Sequence, residues 1–132
     1  MDSKVMIVDD NEFIRDSIEI LFQTEGVQLT IAEGGNECLA HLEAGFRGVL
    51  LMDVMMPRMD GWDTINSIVE RGLYPGNIIL MLTAKREPDQ KMVKIQSYVT
   101  DYITKPFNPM ELLDMVKFYL TLLTGKSPSN DA

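Results

Sequence analysis

Residues 49–53 read Val49-Leu50-Leu51-Met52-Asp53, an unbroken apolar run that ends in a carboxylate. Short apolar runs without polar alternation are typical of strands that are buried on both faces, as in the middle of a parallel sheet. Two similar runs occupy residues 5–8 and 78–82. Residues 29–32 and 101–104 carry more polar side chains, which is typical of edge strands. The sequence therefore predicts three central strands and two edge strands.

Between these strands, apolar residues recur with the period of an α-helix. The clearest helical faces are Ile14-Ile18-Leu21-Phe22, Trp62-Ile65-Val69 and Leu113-Val116-Leu120-Leu123. Alternating strands and helices predict an α/β fold with right-handed crossovers. Three central strands between two edge strands favour a doubly wound, flavodoxin-like parallel sheet in the order 2-1-3-4-5, with helices on both faces.

Composition and charge restrict the classes of partner. The chain has 132 residues, 12 Lys or Arg, 20 Asp or Glu and a net charge of −8. This balance argues against direct binding to nucleic acid or to an anionic membrane surface, which needs a basic face. No apolar run approaches the roughly 20 residues of a membrane-spanning helix. Cys38 is the single cysteine, which fits a reducing compartment, and we expect a cytoplasmic protein.

The length predicts one domain. We place this domain at residues 1–124 and expect residues 125–132, which are polar and contain glycine and proline, to form a disordered tail. No signal peptide is recognised at the N-terminus. No DNA-binding or catalytic domain follows residue 125, so we expect either a stand-alone domain or a fragment of a longer regulator.

An acidic cluster is predicted at one edge of the sheet. Asp9 and Asp10 follow the first strand, and Asp53 follows the third. The strand order reverses between these two strands, and ligands of doubly wound folds bind at that point. Converging carboxylates repel one another unless a cation joins them, and ligands that are all oxygen suit Mg²⁺. The alternative is that Asp10 or Asn11 only caps the first helix.

Two further polar residues end strands at the same edge. Thr83 ends the fourth strand, and Lys105 ends the fifth. Alone, Thr83 could be a helix cap and Lys105 an ordinary surface lysine. Beside the carboxylates, a hydroxyl and an ammonium group are suitable partners for phosphoryl oxygens. Together these groups predict a phosphoryl-transfer site, in which a carboxylate can be the nucleophile.

Four segments resemble the receiver domain of two-component response regulators, over residues 4–123. They are residues 5–11 (VMIVDDN), 51–61 (LMDVMMPRMDG), 82–84 (LTA) and 102–107 (YITKPF). Each fragment is moderately specific, and their order and spacing make the resemblance very specific. The resemblance implies a phosphoaspartate switch in which Asp53 accepts a phosphoryl group from a histidine kinase or a histidine phosphotransfer protein.

The resemblance also implies a ligand set for Mg²⁺. Asp10, Asp53 and the backbone carbonyl of Met55 would bind the ion directly, and Asp9 would act through water.

The phosphoryl group would be held by Thr83 and the backbone amide of Ala84, and would pair with Lys105. The Lys105–Pro106 bond is expected to be cis. In the family, the residues two positions beyond the acceptor and two beyond the threonine flank the route of the attacking water. Here these are Met55 and Lys85. An apolar Met55 cannot orient water, so we expect a long-lived phosphoryl group.

A signalling surface follows from the resemblance as well. Thr83 would couple to Tyr102, and phosphorylation would change the face formed by the fifth strand and the two helices that flank it. The helix before that strand is predicted to begin late, and the C-terminal helix carries a second apolar stripe, Leu112-Met115-Tyr119-Leu122. We expect this face to contact a downstream protein or an output domain, or to form a dimer.

Two other functions remain open. One is a small phosphohydrolase with an aspartyl-phosphate intermediate, although that class needs a second acid two residues after a nucleophile on the first strand, where this chain has Asn11. The other is a binding module that does not depend on phosphorylation. On the favoured interpretation the protein is not an enzyme, beyond catalysing its own phosphorylation and dephosphorylation.

Overall fold

The computed structural model describes residues 4–83 and 95–124. Strands and helices alternate along the chain, as the sequence predicts. The elements are β1 (Val5–Val8), α1 (Glu12–Thr24), β2 (Leu29–Ala32), α2 (Gly35–Glu43), β3 (Val49–Asp53), α3 (Gly61–Glu70), β4 (Ile78–Thr83), a 3₁₀ turn (Gln96–Tyr98), β5 (Asp101–Thr104) and the C-terminal helix α4 (Pro109–Thr124).

The five strands form one parallel sheet in the order β2-β1-β3-β4-β5. This confirms the predicted doubly wound order, with β2 and β5 at the edges. β3 is one residue longer than predicted, because the ladder continues past its apolar run to Asp53, whereas β4 ends at Thr83 as predicted. The N–H of Val54 donates to the carbonyl of Leu82 at 3.1 Å, and the N–H of Lys105 donates to that of Thr83 at 2.8 Å. Asp53 and Thr83 are therefore held as strand residues.

Helices cover both faces of the sheet. One core lies between the sheet and helices α2 and α3, and includes Met52, Met81 and Trp62. The other lies between the sheet and helices α1 and α4, and includes Leu51, Leu82 and Phe22. Successive residues of β3 and β4 alternate between the two cores, because side chains of a strand point to opposite faces in turn. All five residues of β3 are consequently buried.

Side chains of the loops cap three helices. The N–H of Ile14 donates to the Oδ1 of Asn11 at 3.2 Å, so Asn11 caps α1 and Asp10 does not. Asp60 and Asp63 form a reciprocal capping box at the start of α3. The Oδ1 of Asn108 accepts hydrogen bonds from the first turn of α4. Each cap fixes where a helix starts relative to the strand end before it.

Helix α4 buries its two apolar stripes only near its N-terminal end. Leu112, Leu113 and Val116 are buried, whereas Leu122 is 58% exposed and Leu123 36%. A helix of this length spans about 24 Å, but a strand of four residues spans only about 13 Å, so the helix extends beyond the sheet that covers it. Neither stripe is therefore core or surface along its whole length.

Several expectations lie outside the described residues. They are the helix predicted between the fourth and fifth strands, the residues Ala84 and Lys85, and the tail at residues 125–132. In the part of the chain that the structure describes, no helix combines the length and the apolar character needed to cross a bilayer.

Candidate functional site

The three predicted carboxylates meet at the edge of the sheet where β1 and β3 end. One carboxylate oxygen each from Asp9, Asp10 and Asp53 lies within 4.8 Å of the others. Asp9 is fully buried, Asp53 is 4% exposed and Asp10 faces solvent. The loop after β1 holds Asp9 in place, since its Oδ1 accepts a hydrogen bond from the N–H of Asn11 at 2.9 Å. The site is thus closed on one side and open to solvent on the other.

This donor set suits a hard divalent cation. Three carboxylates supply only oxygen atoms, and Mg²⁺ binds a few carboxylates while it keeps several waters. Asp10 is exposed and does not serve as the helix cap, so its carboxylate is available at the open side. The residues present therefore fit a magnesium ion. Whether the Met55 carbonyl completes the ligand set stays a prediction.

Lys105 reaches this cluster from the end of β5. Its Nζ lies 2.9 Å from the Oδ1 of Asp53 and 3.5 Å from the Oδ2 of Asp9. The expected cis bond between Lys105 and Pro106 is present. The side chain of Lys105 is 24% exposed, so its ammonium group lies at the boundary between the buried carboxylates and solvent. It is therefore not an ordinary surface lysine.

Burial and charge oppose each other at Asp53. The pKa of Asp53 is raised from 3.8 to about 6, chiefly by burial and in addition by the nearby charge of Asp9. The hydrogen bond and the charge of Lys105, with a hydrogen bond from the backbone of Met55, act in the opposite direction. The pKa of Lys105 is raised above its ordinary value by the same pairing, against its own partial burial. The carboxylate of Asp53 is thus ionised at neutral pH, and the positive charge of Lys105 offsets only part of the cost of burying it.

Thr83 ends β4 beside β3 and is 4% exposed. Its backbone carbonyl is bonded to the N–H of Lys105, which ties the ends of β4 and β5 together. Asp53 pairs with Leu82 in the sheet, so Thr83 lies one position further along the neighbouring strand. The structure therefore brings together Asp9, Asp10, Asp53, Thr83 and Lys105, while Ala84 and Lys85 lie outside the described residues.

Met55 lies in the loop after β3, and its side chain is 72% exposed. Its predicted role in shielding a phosphoryl group requires this side chain to lie over the site, and the role stays a prediction.

The sequence predicted no part in the site for two residues of α3 that lie close to it. A methyl group at Gly61 would lie 2.5 Å from the carbonyl oxygen of Asp53. Only glycine therefore permits α3 to approach the end of β3 this closely. The next residue, Trp62, is buried and its ring centroid lies 6.3 Å from that of Tyr102. In the sequence, Gly61 ends the resembling segment 51–61 and Trp62 lies on a predicted helical face, and neither position indicated these contacts.

Comparisons with known proteins agree with this geometry. The family model described as "Response regulator receiver domain" matches residues 5–117. The regulatory protein VanRc of Enterococcus gallinarum is 34% identical over 120 residues, which are 91% of this chain and 51% of that protein. The alkaline phosphatase synthesis transcriptional regulatory protein PhoP of Bacillus subtilis is 33% identical over 132 residues, which are 99% of this chain and 54% of that protein. The chain thus spans about half the length of both relatives.

A solved structure is also similar. The crystal structure of a CheY-like response regulator receiver domain protein from Methanospirillum hungatei JF-1 matches with a TM-score of 0.88 and 43% sequence identity. The match covers 94% of this chain and 98% of that one. At this identity and coverage, the likeness extends to the whole fold and not only to the sheet.

Proposed function

The chain belongs to the receiver-domain family of response regulators, whose members are phosphoaspartate signalling switches, and we propose that Asp53 is its phosphoacceptor. The observation that carries this proposal is the environment of the Asp53 carboxylate. It is buried at the end of β3, with Lys105 at 2.9 Å and two further carboxylates within 4.8 Å. Asp9 is also buried and belongs to the same cluster, but its carboxylate lies farther from Lys105, at 3.5 Å, and one of its oxygens accepts the N–H of Asn11.

The donor is a phosphohistidine of a histidine kinase or of a histidine phosphotransfer protein. An oxygen of Asp53 attacks the phosphorus atom while the phosphorus–nitrogen bond of the donor breaks, and the electron pair of that bond leaves with the imidazole. The ammonium group of Lys105 then transfers its hydrogen bond from the carboxylate to a phosphoryl oxygen. Thr83 and the backbone amide of Ala84 hold the other phosphoryl oxygens.

The carboxylates of Asp9, Asp10 and Asp53 would hold Mg²⁺, with the Met55 carbonyl as a further ligand and Asp9 acting through water. The ion supplies positive charge that offsets the repulsion between carboxylates and phosphoryl oxygens. The pKa of Asp53 stays raised although Lys105 lies beside it. The positive charge of Lys105 therefore does not fully offset the negative charge of the carboxylates.

The signal passes from Thr83 to Tyr102 on one face of the sheet. Tyr102 pairs with Met81 and Thr104 pairs with Thr83, so Thr83 and Tyr102 are diagonal neighbours. Tyr102 packs against the core that contains Met81. A movement of the Thr83 side chain toward the phosphoryl group therefore changes the packing around Tyr102 and the surface that contains it.

The responding surface includes a groove of about 630 Å³ beside β5. Its lining comprises residues 102–108 together with Glu111, Leu112 and Met115 of α4. This face, with the helix predicted before β5, would contact a downstream protein, an output domain or a second copy of the chain. The net charge of −8 argues that the domain itself does not bind nucleic acid. We place the protein in the cytoplasm.

The test compares wild-type protein with Asp53→Asn in acetyl phosphate and Mg²⁺, and follows phosphoryl incorporation by intact mass. An amide is a poor nucleophile, so the variant is expected to lose incorporation. The matched control is Asp16→Asn, which changes an exposed carboxylate on α1 and should be labelled like wild type. Equal labelling of wild type and Asp53→Asn would contradict the assignment.

The same assay separates the two alternative functions. Continuous turnover of an aryl phosphate, in place of stoichiometric labelling, would favour the phosphohydrolase. No labelling of wild-type protein by any phosphodonor would favour a binding module.

A further inference from the structure

Trp62 presents a buried hydrogen-bond donor without an acceptor. The residue is 2% exposed, and within the described ranges 4–83 and 95–124 its Nε1–H finds no partner. Buried polar groups are nearly always hydrogen-bonded, because burying one without a partner is unfavourable. An unpaired donor inside a well-packed core therefore indicates a group whose partner arrives in another conformation.

Tyr102 is a neighbour of Trp62 that carries a suitable acceptor. The two ring centroids are 6.3 Å apart and the ring planes are tilted by 41°, within the range of contacting aromatic pairs. Tyr102 is half-buried on the same core as Trp62. Burial raises the pKa of Tyr102, so the group stays a neutral phenol whose oxygen can accept a hydrogen bond.

The rings of Trp62 and Tyr102 both lie on elements that also contact the site around Asp53. Trp62 directly follows Gly61, whose N–H donates to the carbonyl of Val54 at 2.9 Å. A Cβ at Gly61 would lie 2.5 Å from the carbonyl oxygen of Asp53, so the start of α3 packs closely against the end of β3. Tyr102 lies in β5 beside β4, which ends in Thr83. A change at Asp53 thus reaches the aromatic pair from two sides, through the start of α3 and through the end of β4.

We propose that Trp62 is a positioning residue of the switch, whose Nε1–H donates a hydrogen bond to the phenolic oxygen of Tyr102 in the phosphorylated state. The inference rests on the proposed phosphorylation of Asp53 and adds a second partner for Tyr102 besides Thr83. In the unphosphorylated state the donor is unpaired, which disfavours that state. The hydrogen bond then stabilises the inward position of the Tyr102 ring.

The first experiment follows the indole N–H resonance of Trp62 by NMR in the full chain. Trp62 is the only tryptophan, so the spectrum contains a single indole signal. Addition of beryllofluoride with Mg²⁺, which mimics a phosphoryl group on a carboxylate, is expected to move this signal downfield and to slow its exchange with solvent by about fivefold, as for one neutral hydrogen bond. In Tyr102→Phe, which keeps the ring and lacks the acceptor, the downfield movement should be absent.

Tyr74→Phe is the matched control. Tyr74 pairs with Tyr98 beyond the C-terminal end of α3, whereas Trp62 lies in the first turn, about 15 Å away along a helix of this length. The indole signal of this variant should move as in wild type.

The second experiment measures beryllofluoride affinity for Trp62→Phe, Tyr102→Phe and the double variant. Each single change is expected to weaken binding by about fivefold, and the double variant should be no weaker than either single variant, since one hydrogen bond is lost in all three.

Four results would overturn the inference. An indole signal that still moves downfield in Tyr102→Phe, or effects of the two single changes that multiply in the double variant, would exclude the hydrogen bond. A wild-type protein that takes up a phosphoryl group while its indole signal stays unmoved would refute this inference and leave the proposed function intact. If Asp53 takes up no phosphoryl group, both fail.

Discussion

The ammonium group of Lys105 lies 2.9 Å from the carboxylate of Asp53, although 51 residues separate the two along the chain. The backbone N–H of Lys105 is bonded to Thr83, and its Nζ also approaches Asp9 at 3.5 Å. One residue therefore connects the ends of β1, β3, β4 and β5. Even so, burial outweighs this pairing at Asp53, because the pKa of the carboxyl stays raised at about 6.

The raised pKa of Asp53 predicts a pH dependence of stability. Without metal, the folded protein keeps a proton on Asp53 between about pH 4 and about pH 6, whereas the unfolded chain has lost it. Stability should therefore fall as the pH rises through this window, and the loss should be complete above it. Asp53→Asn lacks this titration, so its stability relative to wild type should increase between pH 4 and pH 6 and then stay constant. Urea unfolding in EDTA checks this, and a relative stability that decreases with pH would contradict it.

Asp10→Ala is expected to weaken Mg²⁺ binding by about tenfold or more, since even the loss of outer-shell partners commonly costs that much. The variant removes the exposed carboxylate of the cluster and leaves the helix cap Asn11 in place. Calorimetric titration with Mg²⁺ gives the affinity, and Asp16→Ala on the exposed side of α1 is the control. Wild-type affinity in Asp10→Ala would remove this residue from the ligand set.

Met55→Asn is expected to shorten the lifetime of the phosphoryl group by about tenfold, equivalent to about 1.4 kcal/mol of barrier. The long apolar side chain can turn from solvent over the phosphoryl group, whereas asparagine can orient an attacking water. Decay is followed by intact mass after the phosphodonor is removed, and Met110→Asn, at another exposed methionine, serves as the control. A variant that decays as slowly as wild type would reject shielding by Met55.

Gly61→Ala is expected to destabilise the fold by about 1–3 kcal/mol, the usual cost of overpacking. Its methyl group would meet the carbonyl of Asp53 at 2.5 Å and the Cε of Met81 at 2.9 Å. The control Asn66→Ala adds the same helix-favouring residue at an exposed position of α3, and should be neutral or slightly stabilising. Equal stabilities of the two variants in urea unfolding would show that α3 can shift away from β3 at no cost.

The sequence alone predicted the strands, their order in the sheet and the meeting of the site residues at one edge of the sheet. Unbroken apolar runs mark the central strands, because a strand covered by helices on both faces has no polar side. Asp9, Asp53, Thr83 and Lys105 could be placed together, since the carboxyl ends of parallel strands lie at the same edge of a sheet. The resemblance added the proposal that Asp53 is the acceptor, and it also predicted the cis bond before Pro106, which local pattern does not determine.

Only the tertiary structure decided which alternatives hold at individual side chains. It assigned the cap of α1 to Asn11 and left Asp10 free for a metal, a choice that depends on the conformation of one loop. It also placed Trp62 against Tyr102 and brought Gly61 onto the carbonyl of Asp53. These contacts depend on how closely α3 packs against β3 and β5, which the periodicity of apolar residues does not determine. Hydrophobic patterning determines which residues share a face, and close packing determines which atoms on that face meet.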